Sequence, residues 1–326
     1  LGEVDNYVAL FDKSYNAVSK KSQMDLHVGY WDNDINQVTT RYYTSAFSGK
    51  ASASEIYNEF NNCCPNVDPN KLFQISSDRP NVNFSFLNTI YERRRDNEMQ
   101  ELIYLGTCGL HTVHNGIKHG ESATKWNLKN ILSAMFKIFH ESPSRRADYE
   151  KLVCPTKTDY PLQFCAHRWT ENEPVCKRAQ NIWTKMIEIV KFWKSLPKSK
   201  QPGRGKGENK SFDSLCSSID GPLVPVKLQF FEEISKLLNS FLVSLQVDKL
   251  KAPFLADRFE RIAKILCRKF IKKDILDGAV TTLRFIKMQI TDKANQVNVK
   301  KVDLGFSINH ELNQLKINNK ISDTQL

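Results

Sequence analysis

Asp12 closes the run Tyr7-Val-Ala-Leu-Phe-Asp12, and Asp78 closes Leu72-Phe-Gln-Ile-Ser-Ser-Asp78. Both runs read as short β-strands, so each delivers a carboxylate to a strand end. Two strands that bring carboxylates to one edge of a sheet can hold Mg²⁺ or Mn²⁺ against a phosphodiester. Hard cations take oxygen ligands, and a metal pair stabilises the attacking and leaving oxygens of a displacement. On this reading Asp12 and Asp78 are metal ligands and catalytic acids of a phosphoryl-transfer site. Such a site normally has a third acid, and none stands here in a matching context. Asp25 and Asp32 compete for the first position, but Asp25 falls inside a strand and Asp32 in a turn.

Three further groups carry chemistry. Cys108-Gly-Leu-His111, with His114 one turn on and Cys165-Ala-His167 later, offers metal-like spacing. Structural zinc usually shows two tight pairs, so a buried Cys beside a hydrogen-bonded His is the preferred reading. Arg168-Trp169 precedes a polar turn and a helix; core packing is favoured, with stacking on a base or clamping of a phosphate as the alternative. Basic residues gather in the loop Leu196–Lys210, with Lys198, Lys200, Arg204 and Lys206, and in the helix Arg258–Lys273. Together they form a candidate phosphate-contact surface.

The elements that must position these residues fall into two halves. Met24–Trp31 and Gln37–Tyr43 alternate with period two around the turn cluster Asp32–Asn36, which predicts a hairpin. Ser52–Phe60 has helical spacing, with Ser52 as cap and Glu55 three residues on. Leu72–Ser76 is the next strand, Asn81–Arg95 a helix opened by Pro80, and Leu102–Leu105 a further strand. Beyond residue 115 the apolar spacing turns helical, at Trp126–His140, Val175–Trp193, Val226–Leu245 and Phe254–Ile275. The expected class is α/β: a three-layer RNase H-like mixed sheet with the Asp12 strand central, carrying a large all-helical insertion or second region. The expected division is 1–115 for the partial core, 116–290 for the helical region and 291–326 for a poorly packed tail.

The formal net charge is +11 and the pI about 9.2, which points to polyanion partners and first to nucleic acid. The eight cysteines follow no framework spacing, so they read as reduced thiols of a cytosolic or nuclear protein. No apolar run approaches membrane-spanning length. The chain starts at Leu1 rather than Met, and a fragment is expected on that ground.

The succession Phe11-Asp-Lys-Ser14, Gln23–Asp32, Thr40–Ser45, Ser77-Asp-Arg-Pro-Asn-Val-Asn83, Gly106–His114 and His167-Arg-Trp169 resembles the hAT superfamily of DNA transposases. Phe192–Lys200 and Lys227–Phe231 extend the resemblance, which runs to about Phe306. It implies an RNase H-like core interrupted by a helical insertion and acting on DNA through three acids and divalent metal. Asp12 and Asp78 match the first two acids, and Cys108 and His111 match the family's Cys-x-x-His pair. Arg168 and Trp169 match its Arg-Trp pair, whose Trp handles a flipped base.

The departures are specific. The family's third acid lies in a Ser-rich Glu-Arg segment within a C-terminal dimerisation region, and neither is found here. Glu311 is the only late glutamate, in unmatched surroundings, and the N-terminal zinc finger common in the family is missing too. Lys13 and Arg79 put cations beside the two aspartates, where they compete with a metal. The expectation is a nuclear, transposase-derived protein that binds DNA weakly and without sequence preference, with no membrane partner and no catalysis by this chain alone. The rival expectations are an interaction module using its helical region for protein partners, and an active transposase continued beyond Leu326.

Overall fold

The computed structural model describes residues 4–49, 52–64, 67–77, 81–104, 108–140, 142–152, 160–202, 208–246 and 252–322. Two compact units divide it: residues 1–113 with 244–254, and residues 114–243 with 255–326. Among the described residues no helix is long and apolar enough to cross a membrane.

The first unit is mixed α/β. Strands β1 (Tyr7–Asn16), β2 (Lys21–Asp32), β3 (Gln37–Ser48) and β4 (Leu72–Ser76) form one sheet in the order β3-β2-β1-β4. β1 pairs antiparallel with β2, β2 antiparallel with β3, and β4 parallel with β1. The predicted hairpin β2–β3 is present, with longer strands than the alternating runs alone indicated. β1 also reaches past its apolar run. A second hairpin turn at residues 17–20 closes on Asn16, whose Oδ1 accepts the N–H groups of Val18 (3.0 Å) and Ser19 (2.9 Å). That turn pairs Asn16 with Lys21 and fixes the β1–β2 register. Asp12 is therefore inside β1, not at its end.

Helices α1 (Ala53–Cys63) and α2 (Asn81–Asp96) cover one face of the sheet. The predicted cap holds: the Ser52 hydroxyl accepts the Glu55 N–H at 3.3 Å. Period-two alternation sends Ala9, Phe11, Met24, Leu26 and Val28 toward these helices, where they meet Ile56, Phe60, Phe86 and Ile90 in one apolar cluster. Phe86 is fully buried and meets Phe11 edge-on at 5.3 Å. The strand expected at Leu102–Leu105 does not form among the described residues. Among the described residues Ile103 N–H does donate to Phe73 O (3.0 Å), which ties this segment to β4, and Leu105 lies outside those residues.

The chain continues through α3 (Gly109–Thr124), α4 (Leu128–Phe139), α5 (Pro143–Leu152), α6 (Glu173–Asn181), α7 (Trp183–Ser195), α8 (Glu208–Ser218), α9 (Val224–Val243), α10 (Leu255–Cys267), α11 (Lys273–Gly278), α12 (Thr282–Ile286) and α13 (Phe306–Ile317). The second unit is helical. Its core draws Ile131, Met135 and Ile138 from α4, Met186, Ile189 and Trp193 from α7, Leu215 from α8 and Leu228 from α9. These are the i, i+3, i+4, i+7 stripes of the sequence. The helical pattern over Val175–Trp193 is two helices broken at Ile182, and that over Phe254–Ile275 is α10 followed by α11. Within 291–326, α13 buries Ile308.

Candidate active site

β1 and β4 run side by side in parallel, with Leu10 opposite Ser76. Asp12 and Asp78 each stand two residues beyond that pair in their strands' sequences. Asp78, Arg79 and Pro80 lie outside the described residues, so the site is built from the β1 side.

Asp12 alternates with Phe11 and so faces away from α1 and α2, where it is exposed. Its Oδ1 accepts the Lys13 N–H at 2.9 Å. Lys13 points the other way. Its Nζ lies 3.2 Å from Glu59 Oε2 of α1, and both side chains are mostly buried, at 10% and 13% exposure. Alternation sets Lys13 and Asp12 on opposite faces of β1, with the Glu59 carboxylate as a Lys13 partner on the helix side.

Asp25, which the sequence places second to Asp12, is the residue that the structure brings to it. The β1–β2 register sets it directly opposite Asp12, so both carboxylates share the open face. Asp25 Oδ1 accepts hydrogen bonds from the Ser45 hydroxyl on β3 and from Gln23 Nε2 at 2.7 Å. These bonds, Ser45 first and then Gln23, hold its carboxyl below the usual carboxylate value, with nearby His27 acting in the same direction against burial. Asp25 had ranked below Asp12 for lying inside a strand. Both lie inside strands, so that distinction disappears. The signal was available: once the turn falls at residues 17–20, counting back pairs 12 with 25.

Like charges directly opposite on antiparallel strands repel. The Ser45 and Gln23 bonds offset part of that repulsion at Asp25, and a divalent cation would offset more. An oxygen-only donor set of this kind suits Mg²⁺ or Mn²⁺ and not a thiolate-seeking metal. Among the described residues, no group of three or more His, Cys, Asp or Glu could hold a metal ion. Glu311, the late glutamate, is half-buried on α13, where burial raises its carboxyl.

The other candidates are distributed. Cys108 precedes α3, its N–H donating to Ser77 O at 3.3 Å and its carbonyl accepting the Thr112 hydroxyl at 3.2 Å. His111 is exposed on α3. In the second unit, His114 is buried with Nδ1 3.3 Å from Thr170 N and Oγ1. Trp169 is buried at 2% exposure, packed edge-on against Phe164 (5.1 Å) and Phe231 (6.1 Å). Arg168 is exposed and pairs with Glu171 at 3.3 Å. Asn172 fastens this loop: its Oδ1 accepts Cys165 N–H (2.7 Å), and its Nδ2 donates to Cys165 O (2.9 Å) and Trp169 O (3.1 Å). Lys198 and Lys200 lie exposed in a 3-10 turn; Arg204 and Lys206 are outside the described residues.

No protein-family model matches the chain, and no curated protein matches it. The mixed α/β class is established by the sheet and helices themselves; a functional reading has to come from the residues.

Proposed function

We propose that this chain is a transposase-derived nucleic-acid-binding protein with an RNase H-like core, nuclear, and without strand-transfer activity of its own. The observation that carries the reading is the sheet: order β3-β2-β1-β4, antiparallel through β1 and parallel at β4, with Leu10 opposite Ser76. β1 and β4 are adjacent and parallel, and Asp12 within β1 and Asp78, two residues past Ser76 in the sequence, are read as the two acids. Asp25 adds a carboxylate beside Asp12. The charge of +11 supports a polyanion partner.

The chemistry would be metal-assisted. Bound Mg²⁺ or Mn²⁺ would polarise a phosphoryl oxygen, and Asp12 and Asp78 would hold it. Asp25 already commits one oxygen to Ser45 and Gln23. The set therefore falls short of what fixes two ions around a scissile phosphate, and binding without cleavage is expected.

Two assays test this. Fluorescence anisotropy on duplex DNA should show binding that weakens steeply with salt and is indifferent to sequence. A supercoiled plasmid should remain un-nicked with Mg²⁺ or Mn²⁺. Metal-dependent nicking that disappears in Asp78→Ala would overturn the inactive reading, and salt-insensitive binding or none would overturn the nucleic-acid reading. One observation favours the interaction-module alternative: Val280, Leu283 and Ile286 are 73%, 61% and 72% exposed in the helical unit.

A further inference from the structure

The positive charge is unevenly spread. Residues 255–301 contain twelve Lys and Arg against five Asp and Glu, a net +7 of the chain's +11. The densest part is the run Arg258–Lys273, on α10 and just beyond it, and five of its seven cations fall into two sets.

One set is tied to the protein. Lys264 Nζ lies 2.6 Å from Glu260 Oε1 and donates to Ala279 O at 3.3 Å. Lys269 Nζ donates to Asp303 O at 3.3 Å, and Lys272 Nζ to Ala294 O at 2.7 Å. These lysines fasten the segments after α10 to it. Their ammonium groups are engaged with carbonyls that would otherwise compete for water.

The other set points outward. Arg261 and Arg268 are exposed, and their side chains make no hydrogen bond or ion pair among the described residues. With Lys264 and Ile265 they line a shallow groove along the helix, whose acidic residues are Asp257 and the Lys264-paired Glu260. Seven residues separate the two arginines, about 10 Å at 1.5 Å per residue. The helix carries on to Arg268, whose N–H reaches Lys264 O at 2.9 Å. A cation near a helix C-terminus complements the macrodipole, which accounts for Arg268 but not for mid-helix Arg261. A planar guanidinium fork suits two phosphoryl oxygens at once, where an ammonium acts as a point charge.

We infer that the outer stripe of α10, centred on Arg261 and Arg268, contacts the phosphate backbone of nucleic acid. This rests on the nucleic-acid reading above and names its surface. The contact is to phosphate, so it carries no base preference. Each guanidinium engages its own phosphate, and both release counterions on binding.

The test is anisotropy on a mixed-sequence duplex over a salt series. It compares the wild-type chain, the double variant Arg261→Gln/Arg268→Gln, and a charge-matched control, Lys20→Gln/Lys21→Gln, at the exposed β1–β2 turn. Losing two phosphate contacts should flatten the slope of log affinity against log salt by about 1.8. The control should keep the wild-type slope, and all three should melt alike because the four substituted side chains are exposed. Wild-type binding with an unchanged slope in the arginine variant would overturn the inference and leave the function standing. Equal flattening in the control would also overturn it, since bulk charge alone would then explain the effect. Failure of the wild-type chain to bind would overturn both.

Discussion

Replacing Glu59 by Gln tests the geometry around Asp12 without touching Asp12. The Lys13–Glu59 pair is separated by 3.2 Å with side chains 10% and 13% exposed. At an effective dielectric near 20, two unit charges at that distance attract by about 5 kcal/mol before desolvation is charged against them. Exposed pairs retain only about 0.2–1 kcal/mol of such attraction. Breaking a fully buried pair costs about 3–5 kcal/mol because one ion is stranded. This pair lies between those limits, so a double-mutant cycle of Glu59→Gln and Lys13→Met should give a coupling energy of about 1.5–3 kcal/mol. Urea unfolding followed by far-UV circular dichroism measures it. Lys13→Met should also leave Mn²⁺-induced broadening at the Asp12 amide as it is in the wild type, because Lys13 occupies the opposite face of β1. A coupling energy below about 0.5 kcal/mol would place the pair with exposed ones. Tighter Mn²⁺ binding in Lys13→Met would mean that Lys13 competes at Asp12 after all. Either result refutes the assignment of Lys13 to the helix side.

Three more outcomes are expected. Asp25 has a depressed carboxyl pKa in the fold, so its stabilising contribution is present above its ordinary value of 3.8 and is lost as pH falls through the folded pKa; Asp25→Asn should therefore flatten the acid limb of the stability profile below that pH, as read by circular dichroism. Phe86→Ala removes a fully buried ring held edge-on against Phe11 and Phe60 and should cost about 3–5 kcal/mol in urea unfolding, whereas a loss under about 1 kcal/mol would contradict the packing. Cys64, pushed up to about 11 by burial and then by Cys63, and Cys176, pushed up further by burial, should label slowly with a thiol-specific disulfide reagent at pH 8; rapid labelling of either, mapped by mass spectrometry, would show that its surroundings are open.

The local elements were legible in the chain because their determinants are neighbours in sequence. Alternation at Met24–Trp31 marks a strand half-buried on one face, Ser52 with Glu55 marks a helix start, and the apolar stripe at Ile131, Met135 and Ile138 marks a helix with one buried side. Where such signals are weak the reading failed. α3 contains Gly116 and Gly120 and no strong apolar stripe, so it was not expected, and Ile182 breaks a helix that the spacing drew as continuous. The site depended on more than local pattern. Strand register is set by the turn at residues 17–20 and by which residues the core accepts, and both act across chain segments that the sequence does not place side by side. Register alone brings Asp25 opposite Asp12, and the partner on the helix face alone draws Lys13 to Glu59. The same holds on α10. The seven cations of Arg258–Lys273 look alike in a list, and only tertiary partners, the carbonyls of Ala279, Asp303 and Ala294, separate Lys264, Lys269 and Lys272, which fasten the fold, from the outward Arg261 and Arg268.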